Sequence, residues 1–383
     1  MIYLDEAATT PLKRDVLAAM GPYLGPEFGN PSSHHEPGFR AKAALDDARA
    51  SVAEALGCRP SEITFTSGGT ESDNLALKGI ALGQPRGRHV VVSAIEHPAV
   101  LESAAWLERV GYRVTVLDVD HDGLVSVDDL SQALRDDSTL VSIQYANNEV
   151  GTVQSIADLA AVAAGRGVPF HTDAVQAAGW LDLDVSRLGV QAMSISGHKL
   201  GAPKGVGVLY VNRWVEVEPL IHGGGQEAGR RSGTENVASA VGMAKALELS
   251  TDRWLRSGEA ASRNHETTAR RDAFIKRVEN LGGQLTGHRT HRLPGNASFV
   301  FPLGNSRSGE SILLDLERHG VVCSSGSACA AGSDEPSHVL TAMGYAREVA
   351  QTAVRFTFGR DVTDEQLTEA AEVLGSVLGP VAR

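Results

Sequence analysis

One lysine stands between two apolar runs of the chain. Ser196-Gly197-His198-Lys199 follows the run at 192–195 and precedes the run at 206–211. The small residues beside Lys199 would let a ligand approach the backbone, and hydroxyl and imidazole groups flank its amine. Lys199 is therefore a candidate for a Schiff base with a carbonyl compound. Taken alone, the same pattern also fits a lysine that caps a turn between two strands.

Three other predicted strands also end in residues suited to chemistry. Ser67-Gly68-Gly69-Thr70 opens a predicted helix, where exposed amides favour a phosphate, although an ordinary Ser/Thr helix cap is the alternative. His97 follows another strand. It could be an ordinary loop histidine, or it could stack on an aromatic ligand and move protons. Asp173 ends an apolar strand and needs a cationic partner, because burying a lone carboxylate is costly.

Together these groups match the parts of a single cofactor. Ligands of α/β proteins collect at the carboxyl ends of the strands, so the four groups are expected at one edge of a sheet. Pyridoxal 5′-phosphate has a phosphate, an aromatic ring, a basic ring nitrogen and an aldehyde. Its usual protein partners are a Schiff-base lysine and an acidic residue on the pyridine nitrogen. The combination predicts a site for this cofactor.

The elements that must position these groups alternate between strand and helix. Helices are predicted at 38–56, 70–82 and 98–110, and strands at 63–65, 90–92, 112–117, 140–145, 169–172, 192–195 and 206–211. Such alternation predicts an α/β fold with a mostly parallel seven-stranded sheet between helices. Residues 1–35 are rich in turn-forming glycine and proline and are expected to be irregular.

Beyond residue 255 the pattern changes to that of a smaller α+β unit. Helices are predicted at 259–281, 308–319 and 364–378, and strands at 297–301 and 353–357. We therefore expect a large cofactor-binding domain of residues 15–255. The small domain is expected to consist of residues 1–14 and 256–383.

Composition excludes several classes of protein. The 383 residues, 42% of them hydrophobic, can form a large core, and the net charge of -12 argues against a nucleic-acid surface. No apolar run approaches the roughly 20 residues that cross a bilayer, and the start of the chain lacks a signal-like leader, so we expect a cytoplasmic protein without a membrane contact. Neither the acidic turn at 118–129 nor His34-His35 has a convincing ligand set, so no metal is expected.

The chain resembles the cysteine desulfurases, in their NifS/IscS-like branch, which are pyridoxal-phosphate enzymes of fold type I. The resemblance runs almost end to end. The segments that carry it are Tyr3-Leu4-Asp5, Ala7-Ala8-Thr9-Thr10-Pro11, Thr66-Ser67-Gly68-Gly69-Thr70-Glu71-Ser72-Asp73-Asn74, Glu96-His97, Asn147-Asn148-Glu149-Val150-Gly151, Asp173-Ala174-Val175-Gln176, Ser196-Gly197-His198-Lys199, Gly223-Gly224-Gly225-Gln226-Glu227, Arg231-Ser232-Gly233-Thr234, Ser324-Ser325-Gly326-Ser327-Ala328-Cys329, and Arg355-Phe356 with Gly359-Arg360.

The resemblance implies a role for each residue at the cofactor. Lys199 would carry pyridoxal 5′-phosphate, Asp173 would pair with the pyridine nitrogen, and His97 would stack on the ring and handle protons. Gln176 would hydrogen-bond the phenolic oxygen. The implied phosphate contacts are Gly69, Thr70, Ser196 and His198, with Thr234 contributed by the second subunit of a homodimer.

The resemblance also implies how the substrate is held. Asn148 and Arg355 would bind the carboxylate of L-cysteine, Arg355 through a bidentate fork that a lysine does not reproduce. L-Cysteine would become L-alanine, and its sulfur would remain on the protein as a persulfide.

Cys329 decides which reaction the fold performs. Small residues surround it on a loop at about 323–335, which suits a thiol that moves rather than a buried structural cysteine. We expect Cys58 and Cys323 to be structural. Cys329 would take the sulfur and pass it to a protein acceptor for iron–sulfur clusters, tRNA thiolation or DNA phosphorothioation. The alternatives are a selenocysteine lyase or aminotransferase of the same fold, or a non-catalytic sulfur carrier.

Overall fold

The structure is a computed structural model that describes residues 1–83, 86–251, 259–301, 308–326 and 335–379. Cys329 and most of the predicted cysteine loop lie outside the described residues. Within these ranges, no helix has the length and apolar character needed to cross a membrane.

The strands account for two sheets and a short parallel pair. In chain order they are β1 (Ile2–Tyr3), β2 (Ile63–Thr66), β3 (His89–Ser93), β4 (Arg113–Leu117), β5 (Ser138–Ser142), β6 (Phe170–Asp173), β7 (Ala192–Ser196), β8 (Gly207–Val211), β9 (Gln284–Leu285), β10 (Asn296–Val300), β11 (Val321–Val322) and β12 (Val354–Thr357).

Seven strands form the central sheet, in the order β2-β8-β7-β6-β5-β3-β4. Strands β3 to β7 pair in parallel, and β8 runs antiparallel to both of its neighbours. The predicted fold class, with a mostly parallel seven-stranded sheet, is confirmed. The strand predicted at 140–145 begins earlier, at Ser138, because Ser138 pairs with His89 of β3.

Both faces of the central sheet are buried. Val91 of β3 belongs to one apolar cluster, whereas Val90 and Val92 belong to the cluster on the opposite face. Strand β8 repeats the pattern, with Val208 on one side and Leu209 on the other. Successive side chains of a strand point to opposite faces, so near-continuous apolar runs require cover on both sides.

Helices supply that cover. In chain order they are α1 (Arg14–Leu24), α2 (Glu36–Leu56), α3 (Gly69–Asn74), α4 (Ile80–Gly83), α5 (Pro98–Arg109), α6 (Val127–Ala133), α7 (Ile156–Gly165), α8 (Val185–Leu188), α9 (Val237–Thr251), α10 (Glu259–Asn280), α11 (Gly309–Arg318), α12 (His338–Ala342), α13 (Arg347–Ala350) and α14 (Asp364–Leu378). A π-helical turn, Leu75–Gly79, joins α3 to α4.

Helix α1 contradicts the prediction that residues 1–35 are irregular. It has no side-chain cap and contains Pro22, so local signals for a helix are weak. Packing against the rest of the protein stabilises the helix instead. Val16 and Met20 are buried, and a Cβ at Gly242 of α9 would lie 2.7 Å from the Met20 sulfur. Tertiary contact therefore overrides the turn-forming composition.

A third apolar cluster contains residues from both terminal regions of the chain. Strands β12, β10 and β9 form an antiparallel sheet, and Phe299 and Phe356 are buried in its cluster. Ile2 and Leu4 join the same cluster, and β1 pairs in parallel with β11. The division into domains 15–255 and 1–14 with 256–383 stays a prediction, and this clustering favours it.

Candidate active site

A cavity of about 450 Å³ lies where β2, β3, β6 and β7 end. It brings together ten of the twelve residues predicted for the site. These are Gly69, Thr70, His97, Asn148, Asp173, Gln176, Ser196, His198, Lys199 and Arg355. Of the other two, Cys329 is outside the described residues, and Thr234 lines a separate cleft with Ser67 and Arg231.

Lys199 ends a short 3₁₀ turn, Gly197–Lys199, between two antiparallel strands of the central sheet. Gly197 is needed in this turn because a Cβ there would lie 2.8 Å from Val206. The Lys199 amine donates hydrogen bonds to the carbonyls of Ala7 and Ala8, at 2.8 Å in the case of Ala8. The N-terminal segment thus holds the amine at the cavity wall.

The loop after β2 forms an open cradle before helix α3. Gly68 has a φ of 154°, and a Cβ at Gly69 would lie 2.8 Å from Val175, so the loop requires glycine at both positions. Ser67 N–H donates to the Glu71 carboxylate at 2.8 Å, and Arg231 pairs with the same carboxylate at 2.9 Å. Because α3 begins at Gly69, its first backbone N–H groups have no partners inside the helix, and such groups can bind an anion.

Asp173 is a buried carboxylate at the end of β6. Its Oδ1 accepts a hydrogen bond from Val175 N–H at 2.9 Å. Burial raises the pKa of Asp173, while nearby His97 and Lys199 lower it. A cationic group in the cavity would therefore stabilise the charged form, which agrees with the partner predicted for this residue.

His97 is the N-terminal cap of helix α5. Its Nδ1 accepts a hydrogen bond from Ala99 N–H at 3.1 Å. Burial lowers the pKa of His97. The carboxylate of Asp173 raises this pKa, whereas Lys199 and His338 lower it further. The cap bond therefore fixes the orientation of the ring, and the lowered pKa favours its neutral form.

Arg355 is a buried guanidinium at the cavity wall, with 1% of its surface exposed. Its Nη1 donates to Asn148 O at 2.8 Å and to Gly326 O at 3.1 Å, and Nη2 donates to Asp5 Oδ1 at 2.8 Å. Nε has no hydrogen-bond partner in the part of the chain that the structure describes. The fork predicted for a substrate carboxylate is thus partly used by the protein, and the Nε edge remains.

Sequence reasoning missed other residues that line the cavity. Glu149 is buried, and its Oε2 accepts a hydrogen bond from Ser337. His338 follows Ser337 at the start of helix α12, and its Nε2 lies 3.0 Å from Glu96 O. The Ser337 hydroxyl also caps this helix at Leu340 N–H. That Ser cap before an apolar run was a usable sequence signal for α12, although not for its place in the site.

The two described cysteines lie in environments that suppress reactivity. Burial raises the pKa of Cys58 to about 12, and it also raises the pKa of Cys323. A thiol that stays protonated is a poor nucleophile. This observation favours the predicted structural role of both residues.

The residues considered for metal binding have local structural partners. Asp120 Oδ1 accepts hydrogen bonds from the backbone N–H groups of Asp122 and Leu124, which closes the acidic turn. His35 Nδ1 accepts from Gly38 N–H and caps helix α2. Among the described residues there is no group of three or more histidine, cysteine or acidic side chains arranged to hold a metal ion.

Comparison with known proteins places this geometry in a family. The sequence model of the class-V aminotransferase family matches residues 2–369 of this chain. A cysteine desulfurase IscS of Dictyoglomus turgidum is 46% identical over 380 residues, which cover 98% of this chain and 94% of the relative.

Solved structures agree with this placement. A NifS-like protein superposes with a TM-score of 0.90 at 35% identity, covering 98% of this chain and 99% of the other. The structure of SspA in complex with cysteine superposes with a TM-score of 0.81 at 36% identity, covering 94% of this chain and 99% of SspA.

Proposed function

The chain belongs to the class-V aminotransferases and, within them, to the cysteine desulfurases, which depend on pyridoxal 5′-phosphate, and on that premise we propose its reaction and the residues that perform it. L-Cysteine is converted to L-alanine, and its sulfur is transferred to Cys329 as a persulfide. The observation that carries this proposal is the single cavity in which Lys199, Asp173, His97 and Arg355 meet.

The residues of the cavity fit the cofactor. A Cβ at Gly69 would lie 2.8 Å from Val175, which also lines the cavity, and the first amides of α3 suit a phosphate. The buried carboxylate of Asp173 suits a protonated ring nitrogen, and Lys199 supplies the amine that the aldehyde requires. Ser196, His198 and Gln176 complete the wall with polar groups.

When bound, the cofactor withdraws electrons from the substrate Cα and so makes its proton acidic. Lys199 takes that proton, and Arg355 with Asn148 holds the substrate carboxylate. The Cys329 thiolate then attacks the substrate sulfur, forming the S–S bond of the persulfide while the C–S bond breaks. The carbon fragment regains protons and leaves as L-alanine.

The test is mass spectrometry of the peptide that contains Cys329, after incubation of the loaded protein with L-cysteine. We expect one added sulfur atom on this peptide, and none after Cys329→Ser. Cys58→Ser is the matched control and should leave the adduct unchanged. A Cys329→Ser protein that still releases sulfide at the wild-type rate would remove the persulfide step from the proposal.

Lysine substitution tests the cofactor assignment separately. Lys199→Ala should abolish the visible absorbance of the lysine-bound cofactor, whereas Lys276→Ala, at an exposed position of helix α10, should keep it. Formation of a keto acid instead of L-alanine would favour an aminotransferase, and a wild-type protein with no visible absorbance would favour a non-catalytic carrier. A rate with L-selenocysteine far above that with L-cysteine would favour a selenocysteine lyase.

The homodimer, the sulfur acceptor and the cytoplasmic location belong to the same proposal. A further cavity of about 470 Å³ opens on the cradle side of Lys204 and is also lined by Ser67 and Gly68. We infer that Thr234 of a second subunit reaches the phosphate from there. Light scattering should give twice the chain mass of 40.4 kDa, and Thr234→Ala should weaken cofactor binding. A monomer with full activity would contradict this arrangement.

A further inference from the structure

The cradle after β2 contains a carboxylate as well as free backbone amides. The first hydrogen bond of helix α3 runs from Ser72 N–H to Gly68 O at 3.1 Å, so the N–H groups of Gly69 and Thr70 have no acceptor inside the helix. The next residue, Glu71, lines the same cavity as Gly69 and Thr70. Its carboxylate therefore lies at the end of the helix that also favours a phosphate.

The Glu71 carboxylate is paired on the protein side. Arg231 Nε donates to Oε1 at 2.9 Å, and Nη2 donates to Oε2 at 3.5 Å. Ser67 N–H also donates to Oε2, at 2.8 Å. Burial raises the pKa of Glu71, but the bonds from Arg231 and Ser67 outweigh burial and leave this pKa below its ordinary value. The group is therefore ionised at neutral pH, and the guanidinium balances its charge.

The segment that carries Arg231 is held in an unusual backbone conformation. Glu227 and Ala228 have φ values of 51° and 55°, in the left-handed region that residues other than glycine rarely adopt. Such a backbone persists only where surrounding contacts hold it. The buried Glu227 carboxylate accepts a hydrogen bond from Phe65 N–H at 2.9 Å and pairs with Arg49. The segment is thus fastened to β2 before the cradle and, through Arg231, to α3 after it.

Arg231 does not line either of the two cavities that contain Gly69 and Thr70. It lines the separate cleft that also contains Ser67. The guanidinium therefore contacts the Glu71 carboxylate from outside the position predicted for the phosphate. Any effect of Arg231 on a phosphate bound there has to pass through Glu71.

We propose that Arg231 is a positioning residue for the cofactor phosphate: it balances the charge of Glu71 in the cradle and keeps this carboxylate bound to Ser67 N–H. The inference rests on the proposed function, in which Gly69 and Thr70 hold the phosphate. A phosphate monoester carries a charge of about −1.5 to −2 at pH 7. Without Arg231, the unbalanced Glu71 carboxylate would repel this charge.

The same ion pair should matter little for the stability of the fold. The side chains of Arg231 and Glu71 are 26% and 14% exposed, and water and salt weaken pairs that are partly exposed. Loss of Arg231 should therefore reduce the affinity for an anion in the cradle while the protein remains folded. This combination separates the proposed role from a purely structural one.

Arg231→Met removes the positive charge and keeps a side chain of similar length. Cofactor-free protein is titrated with pyridoxal 5′-phosphate and with pyridoxal, which has the same ring and aldehyde but no phosphate. The dissociation constant of pyridoxal 5′-phosphate should rise by about tenfold at low salt, and by less at high salt because ions screen the repulsion. That of pyridoxal should stay within about twofold of wild type. Arg318→Met, which breaks an exposed pair with Asp315, is the matched control and should change neither constant.

Glu71→Gln supplies a rescue that a structural role would not give. The glutamine oxygen can still accept from Ser67 N–H, but it carries no charge. The double variant Arg231→Met/Glu71→Gln should therefore bind pyridoxal 5′-phosphate within about threefold of wild type. Glu71→Gln alone should bind it at least as tightly as wild type, because Arg231 then contributes an unbalanced positive charge.

Four results would overturn the proposal. One is an unchanged affinity of Arg231→Met for pyridoxal 5′-phosphate at low salt, and another is an equal loss for pyridoxal. The third is a double variant that recovers nothing, because Arg231 would then hold the phosphate directly. The fourth is weaker binding by Glu71→Gln alone, which is decisive even if Arg231→Met does not fold. A wild-type protein that binds no cofactor or forms no persulfide would instead refute the proposed function, so the two failures are distinguishable.

Discussion

Replacing Arg355 with lysine tests the proposal that this side chain binds the substrate carboxylate. Arginine has five N–H groups, and three of them donate to Asn148 O, Gly326 O and Asp5. Nε has no partner among the residues that the structure describes, and it shares an edge with Nη2. That edge is the part of the fork that could receive two oxygens of a carboxylate.

The expected decrease in kcat/KM follows from this count of hydrogen-bond donors. A lysine keeps the positive charge but presents it at one point, so it cannot hold Asp5 and two substrate oxygens together. One charge-assisted hydrogen bond to the substrate should be lost, at about 1.5–3 kcal/mol. At 1.36 kcal/mol for each factor of ten, Arg355→Lys should lower kcat/KM for L-cysteine by roughly 10- to 150-fold.

The assay compares two ligands that differ only in the carboxylate. Binding of L-cysteine and of cysteamine is followed through the absorbance of the bound cofactor, with sulfide release measured for L-cysteine. Wild-type protein should prefer L-cysteine, and Arg355→Lys should lose most of that preference while binding cysteamine as before. If the variant weakens both ligands equally, Arg355 acts on folding rather than on the carboxylate, and the reasoning is wrong.

Two further predictions concern buried charges. Arg49 forms a bidentate ion pair with Glu227, whose side chain is 3% exposed, so Arg49→Met should lower the free energy of unfolding, measured in urea, by about 3–5 kcal/mol. Arg40→Met, which removes an exposed ion pair, should have little effect. Equal losses of stability in the two variants would refute the argument. Burial raises the pKa of Glu96 from 4.5 to about 8, so the contribution of this carboxyl to stability is present below pH 4.5 and is lost as the pH rises through 8. The stability of the wild-type protein relative to Glu96→Gln should therefore decline between these two pH values. Parallel profiles of stability against pH for the two proteins would contradict this prediction.

The convergence of the site was predictable because it follows from strand geometry. Apolar alternation locates the parallel strands, and parallel strands place their carboxyl ends at one edge of the sheet. Asp173 and Lys199 each follow such a strand, so their proximity required no long-range information. The glycines at 68 and 69 could be read in the same way, since they open a helix directly after a strand.

The parts that were not predictable depend on contacts between distant segments. The contact of His338 with Glu96 O joins residues 242 positions apart, and no local pattern encodes which ring nitrogen it fixes. The bond from Arg355 to Asp5 spans 350 positions and decides how much of the fork is free. Helix α1 belongs to the same class, because its stability comes from packing against α9 rather than from its own residues.

Strand β12 links the arginine proposed to bind the substrate to the lysine proposed to carry the cofactor. Successive side chains alternate in direction, so Val354 and Phe356 enter the apolar cluster while Arg355 and Thr357 face the other side. Arg355 lines the cavity, and the Thr357 hydroxyl accepts a hydrogen bond from Ala7 N–H at 2.9 Å. The Ala7 carbonyl in turn accepts from Lys199. Two neighbouring positions on one face of a strand thus set the guanidinium and, through the N-terminal segment, the amine, and a shift of β12 would move both together.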